Sequence, residues 1–167
     1  DGKIYCVPVN IHSQQWLWLS NAAFEKAGVL VPKNWDEYVA AAPALEKAGI
    51  VPLAIGQQSW QTTLAFQVLL TALAGKDAYM KIFGDKDAEF AASADMAKVF
   101  KAADDARKMA AKATAQEWNQ ATTMVINGQA GGQIMGDWAQ GEFQVAGQVA
   151  GKDYTCLPGL GVNDIIQ

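Results

Sequence analysis

Residues 117–143, EWNQATTMVINGQAGGQIMGDWAQGEF, carry the pattern on which the fold turns. Glu117 to Asn127 reads as a helix, and Gly128 closes it as a C-cap glycine. Gly131 to Met135 reads as a strand of little side-chain bulk, whose glycines would let neighbouring backbone approach closely. A helix or turn follows from Trp138 to Gly147. Helix, strand and helix within 31 residues are the unit of a layered α/β architecture.

The rest of the chain repeats the alternation. Upstream, Asn34 with Glu37 three residues on has capping-box spacing, and Trp35, Tyr38, Val39, Ala42 and Leu45 follow at helical intervals. Pro43 should kink this helix or mark a weak turn. Val51 to Ile55 reads as a short buried strand, Trp60 to Ala74 as a helix and Asp77 to Phe83 as a shorter one. Ala94 to Ala113 reads as a long helix with Met96, Val99, Phe100, Ala103, Arg107 and Ala110 along one stripe. Towards the start, Lys3 to Val9 (KIYCVPV) is β-rich and reads as the first strand, with a short helix from Asn21 to Ala27 capped by Gly28. Towards the end, Tyr154 to Leu157 reads as the last strand and Pro158 to Gln167 as loop. The expected order is strand, helices, strand, helices, strand, helix, strand: an α/β fold, helix-rich, with a central sheet flanked by helices.

The 167 residues suit one domain. Seventeen acids against 13 bases give a net charge of −4, with no basic stripe, which argues against nucleic acid as a partner. The most apolar run, Leu64 to Ala74, is too short to span a bilayer. The sequence begins at Asp1, without methionine or signal peptide, and its first residues already read as strand, so it is expected to be a piece of a larger protein.

Chemistry-bearing motifs are few. The only histidine is His12, and no nucleophile elbow surrounds Ser13. Cys6 and Cys156 lack CxxC spacing, which leaves two readings, free thiols or one disulfide joining the ends of the domain, and no metal site is expected. The glycines from Gly128 to Gly141 lack the Lys-Ser/Thr ending of a phosphate loop, so no nucleotide cofactor is expected. Asp137 beside Trp138 is more informative. It follows a strand, where open α/β sheets bind ligands. A carboxylate beside an indole can accept sugar hydroxyl hydrogens while the ring stacks on the sugar's apolar face. Asp137 could equally cap the following helix. Trp60 and Gln61 follow the strand Val51 to Ile55 in the same way, and Asn10 and His12 follow the first strand. Catalysis of glycoside hydrolysis would need a second carboxylate about 5–10 Å from Asp137, for which Glu142 is the nearest companion in sequence.

Three stretches, GKIYCVPVNIHSQQWLWLSNAAFEKAGV (2–29), NWDEYVAAAPALEKAGIVPLAIG (34–56) with SWQ (59–61), and residues 117–143, resemble the extracellular solute-binding proteins of sugar ABC transporters, most nearly the glucose/mannose type. The runs MVINGQAGGQIMGDWAQGEF and NIHSQQWLW are the specific ones. The resemblance implies a periplasmic-binding-protein-like architecture of two α/β lobes, a sugar held between them, no catalysis and no cofactor. Residues 1–167 would then be most of one lobe, between hinge-crossing strands at about 4–9 and 153–158, with the second lobe and the C-terminal helices outside this chain. It implies a ligand set of Asn10, His12, Trp60, Gln61, Trp118, Asp137 and Trp138, a Cys6–Cys156 disulfide on the hinge strands, a periplasmic location and delivery of sugar to an ABC permease in the membrane. Cut from its partner lobe, the chain would expose apolar surface and is expected to self-associate. The competing expectations are a glycoside-active fragment using Asp137 and Glu142, and a fragment with no ligand of its own.

Overall fold

The computed structural model describes residues 3–163. Four strands form one sheet in the order β2-β3-β1-β4: β1 (Trp16–Ser20), β2 (Val51–Leu53), β3 (Ala130–Met135) and β4 (Tyr154–Pro158). β2 runs parallel to β3, while β1 is antiparallel to both β3 and β4. Helices α1 (Asn21–Ala27) and α2 (Trp35–Lys47) lie between β1 and β2. Helices α3 (Ser59–Tyr79), α4 (Ala88–Ala91), α5 (Ala94–Met109) and α6 (Trp118–Ile126) lie between β2 and β3, and α7 (Gln140–Val145) precedes β4. The element order and the α/β class are those expected from the sequence.

The start of the sheet is not where the sequence placed it. Residues 3–15 contain no strand, and the first strand is Trp16–Ser20. A β-prone segment becomes a strand only where it joins a ladder, and the ladder of the described residues consists of β2, β3, β1 and β4 alone. Segment 3–12 lies outside the sheet, with Ile4, Val7, Val9 and Ile11 at least 82% exposed. The expected hinge strand over 4–9 is absent. The expected disulfide is absent with it: Cys6 and Cys156 are free thiols, because no ladder over 4–9 aligns Cys6 beside β4, where Cys156 pairs with Trp18.

The buried core is continuous from the sheet into the helices. Leu17 and Leu19 of β1 meet Phe24, Tyr38 and Leu45 of α1 and α2. The Asn34 side chain caps α2 by accepting from Glu37 N–H at 2.9 Å. Pro43 sits on the exposed side of α2, which runs through it without interruption. At Gly132 of β3 the layers press closely: a Cβ there would lie 2.6 Å from the Trp18 carbonyl oxygen and 2.8 Å from both Leu19 Cδ2 and the Tyr38 hydroxyl. That hydroxyl donates to the carbonyl of Pro52 on the edge strand β2. Full burial of side chains such as Trp35, Phe24 and Leu45 contributes about 1.5–3 kcal/mol each.

The central helices differ in detail from expectation. α3 is broken at Gly75 (φ 84°), and a π-helical turn at Met80–Asp85 replaces the expected helix end at Phe83. α5 ends at Met109, and its buried stripe is Met96, Val99, Ala102, Ala106 and Met109. Phe100 is half exposed against Phe66, and Ala103, Arg107 and Ala110 line a groove of about 590 Å³ between α3 and α5. Alanine on most sides of a helix leaves its periodicity open to a one-residue rotation. Pro158 closes β4, Gly159–Gly161 forms a helical turn, and the last part of the expected tail, 164–167, lies outside the described residues.

Candidate ligand-binding edge

The carboxyl ends of β2 and β3, the entry to β1 and the N-termini of α3 and α6 all meet at one edge of the sheet. This follows from the topology: α3 leaves the end of β2, and α6 runs back along β3, so its first residue is level with the end of that strand. Backbone bonds extend the ladder beyond the strands. Asp137 N–H donates to the Ser13 carbonyl at 2.8 Å, and Gly159 N–H to that of Gln15 at 2.8 Å. The sequence-derived site residues divide into two clusters along this edge.

The first cluster joins residues from the two ends of the chain. His12 Nδ1 lies 2.9 Å from Asp137 Oδ1, and its ring meets Trp138 edge-on at 5.4 Å between centroids. The pair is half exposed, with His12 at 47% and Asp137 at 38%, so solvent or a ligand reaches both. Asp137 opens the helical turn Asp137–Ala139, but the turn is capped at Gly136 without a side-chain bond, so the carboxylate is turned to His12 rather than spent on capping. Gly136 is what lets Trp138 fold back on this turn: a Cβ at Gly136 would lie 2.1–2.5 Å from three carbons of the indole. Beneath the turn, Trp18 donates from Nε1 to the Met135 carbonyl at 3.0 Å. The Trp18 ring packs on Phe143, which in turn stacks on Tyr154 at 4.3 Å. Asn10 lies exposed two residues before His12.

The second cluster surrounds Trp60, which is 41% exposed on the first turn of α3. Its indole N–H donates to Gln58 Oε1 at 2.7 Å, and Gln58 Nε2 donates to Glu117 Oε1 at 2.8 Å. Glu117 is the N-cap of α6, in a capping box with Gln120. Gln61 corrects its sequence assignment. It is 1% exposed, its Oε1 accepts from Gly56 N–H at 3.0 Å, and its Nε2 reaches Gln58 and the Gln116 carbonyl. Gln61 thus secures the loop after β2 and has no group left for a ligand. Trp118 is half buried against the core, and its carbonyl accepts from Gln133 at 2.9 Å. The contact between Gln58 and Glu117 had no sequence signal, because it joins residues 59 apart.

The Ser13 hydroxyl beside the His12–Asp137 pair is shielded from solvent without a hydrogen-bond partner, so it is not set up as a nucleophile. Among the described residues no three His, Cys, Asp or Glu side chains gather as a metal site. No helix among them is long and apolar enough to cross a membrane.

Comparison with known proteins identifies the family. Residues 1–161 match the family described as bacterial extracellular solute-binding protein. A probable sugar-binding periplasmic protein of Brucella suis biovar 1 (strain 1330) is 41% identical over 158 residues, covering 94% of this chain and 37% of that protein. The chain thus spans well under half the length of the curated relatives it matches. Among solved structures, a manno-oligosaccharide-specific solute-binding protein of Bifidobacterium animalis subsp. lactis ATCC 27673, in complex with mannotriose, superposes with a TM-score of 0.66 at 20% identity, over 90% of this chain and 39% of that one. A bacterial solute receptor with a substrate preference for β-D-galactopyranose gives 0.64 at 22% identity, over 91% and 38%. At these identities the superpositions establish the fold, and with the family match over nearly the whole sequence the conclusion follows: this chain belongs to the bacterial extracellular solute-binding proteins.

Proposed function

We propose that this chain is one lobe of a periplasmic sugar-binding protein, that it holds a monosaccharide such as glucose or mannose without transforming it, and that the whole protein delivers the sugar to the permease of an ABC importer. The observation that carries this reading is the His12–Asp137–Trp138 cluster at the carboxyl edge of the sheet. A carboxylate with one oxygen held by His12 keeps the other for hydroxyl hydrogens, and a half-buried indole beside it offers an apolar face. Trp60, Trp118 and Asn10 would extend the same surface. The names of the curated relatives, sugar-binding and periplasmic, point the same way.

A second lobe, supplied by a longer chain, would close over this edge and exclude water, as small-molecule sites require. Segment 3–12, rich in exposed apolar side chains, would be one connection to it and β4 the other. Separated from that lobe, the chain would use the same apolar side chains to self-associate.

The test is calorimetric titration of glucose, mannose, galactose, xylose and a disaccharide into the full-length protein and into this chain. Micromolar binding of one hexose by the full-length protein, much weakened in the chain alone, is the expected result. No heat with any of these sugars would remove the sugar from the reading and leave only the family. Turnover of an aryl glycoside would replace the binding reading with an enzymatic one.

A further inference from the structure

We propose that Gln58 is a positioning residue that fixes the indole of Trp60 for stacking on the ligand; this rests on the sugar-binding reading above. The amide of Gln58 stands between two partners of opposite demand. Trp60 Nε1–H can only donate and meets Oε1 at 2.7 Å, while the Glu117 carboxylate can only accept and meets Nε2 at 2.8 Å. The amide can therefore sit in one orientation only. Gln61 adds a second donor to the same Oε1 at 3.3 Å. The Glu117 backbone is held in turn at the start of α6, its N–H donating to Gln120 Oε1 at 3.2 Å. A line of side chains thus runs from the N-terminus of α6 to the edge of Trp60 and ties the loop after β2 to the loop before α6. The backbone repeats that tie, with Gln57 N–H donating to the Gln116 carbonyl at 3.1 Å.

Two consequences follow for the ligand. With its N–H already used inside the protein, Trp60 has only its ring face to offer. It therefore contributes stacking that tolerates different hydroxyl configurations, and discrimination between sugars falls to the Asp137 side of the edge. Trp60 is also exposed, on the first turn of its helix, where an unrestrained indole would sample several rotamers. Holding it in place before the ligand arrives moves the ordering cost from binding to folding.

The test uses the full-length protein with Gln58→Met, Gln58→Glu and the exchange Gln58→Glu with Glu117→Gln. Methionine keeps the length and removes both bonds. Glutamate keeps an acceptor for the indole but opposes the Glu117 carboxylate, and the exchange restores donor and acceptor in swapped places. Two readouts are needed: the Trp60 indole N–H resonance without sugar, assigned through Trp60→Phe, and the affinity for the hexose that the unmodified protein binds best. Gln58→Met is expected to shift that resonance towards free indole and to weaken binding about 3- to 10-fold. Gln58→Glu should weaken binding comparably, and the exchange should return affinity to within about 2-fold of the original. An unmoved resonance in Gln58→Met, an unchanged affinity despite a moved resonance, or an exchange no better than Gln58→Glu would each overturn the proposal. If the unmodified protein bound no sugar, the ligand reading itself would fail, and the resonance alone would decide whether Gln58 holds Trp60.

Discussion

His12 and Asp137, 125 residues apart in the chain, meet 2.9 Å apart at the edge of the sheet. Neither is buried, and an exposed pair of this kind contributes at most about 1 kcal/mol to stability. The pair therefore adds little to the stability of the fold, and its place in the proposed sugar site is what substitution of Asp137 tests.

Asp137→Asn is expected to reduce hexose affinity of the full-length protein by about tenfold or more, since a hydrogen bond to a charged group contributes about 1.5–3 kcal/mol. The melting temperature should change little. Calorimetry and a thermal melt on the same preparation check both, and an unchanged affinity would remove Asp137 from the site.

Gly136→Ala tests Trp138 without touching it. The backbone there is ordinary (φ −68°), so alanine is tolerated by the chain, but its Cβ would occupy the space of the indole. The ring must swing out, and the expected result is a changed tryptophan emission together with weakened sugar binding. Unaltered emission and affinity would mean that Trp138 relaxes at no cost to the ligand.

The two thiols should differ sharply in reactivity. Cys6 is exposed, while Cys156 is part-buried in β4, where burial raises its pKa above the usual thiol value and so lowers its thiolate fraction at any given pH. A maleimide at neutral pH is expected to label Cys6 first, with Cys156 following on unfolding. Peptide mapping by mass spectrometry reads the order. Resistance of both to labelling, reversed by a reductant, would instead reveal a disulfide.

Tyr38→Phe removes the hydroxyl that donates to the Pro52 carbonyl on the edge strand. Tyr38 is fully buried, which also holds its pKa well above the usual phenol range and keeps it a donor at any ordinary pH. Leaving that carbonyl without its donor should cost about 1–3 kcal/mol, measured by urea denaturation. A loss below about 0.5 kcal/mol would mean that the carbonyl finds another donor.

Local chemistry in the sequence determined the element order and the α/β class. The cap at Asn34 with Glu37, the glycines after α1 and α6, and the small-residue strand Ala130–Met135 depend on neighbours three or four positions away or on side-chain size, and both can be read along the chain. The placement of Asp137 and Trp138 just beyond a strand was legible for the same reason. What only the tertiary structure decided were pairings between distant segments. Lys3–Val9 has the local features of a strand, but it joins no ladder, the first strand is Trp16–Ser20, and the expected Cys6–Cys156 bond is absent with it. Gln61 was expected at the ligand surface, yet its amide is drawn inward by Gly56, Gln58 and Gln116. Trp18 and Trp35 are core while Trp60 is exposed, and no local pattern separates them, because burial depends on which elements pack over each ring. Nor does spacing reveal that His12 reaches Asp137 or that Glu117 reaches Trp60 through Gln58, since those contacts exist only once β1 lies beside β3 and the two loops at its end are brought together.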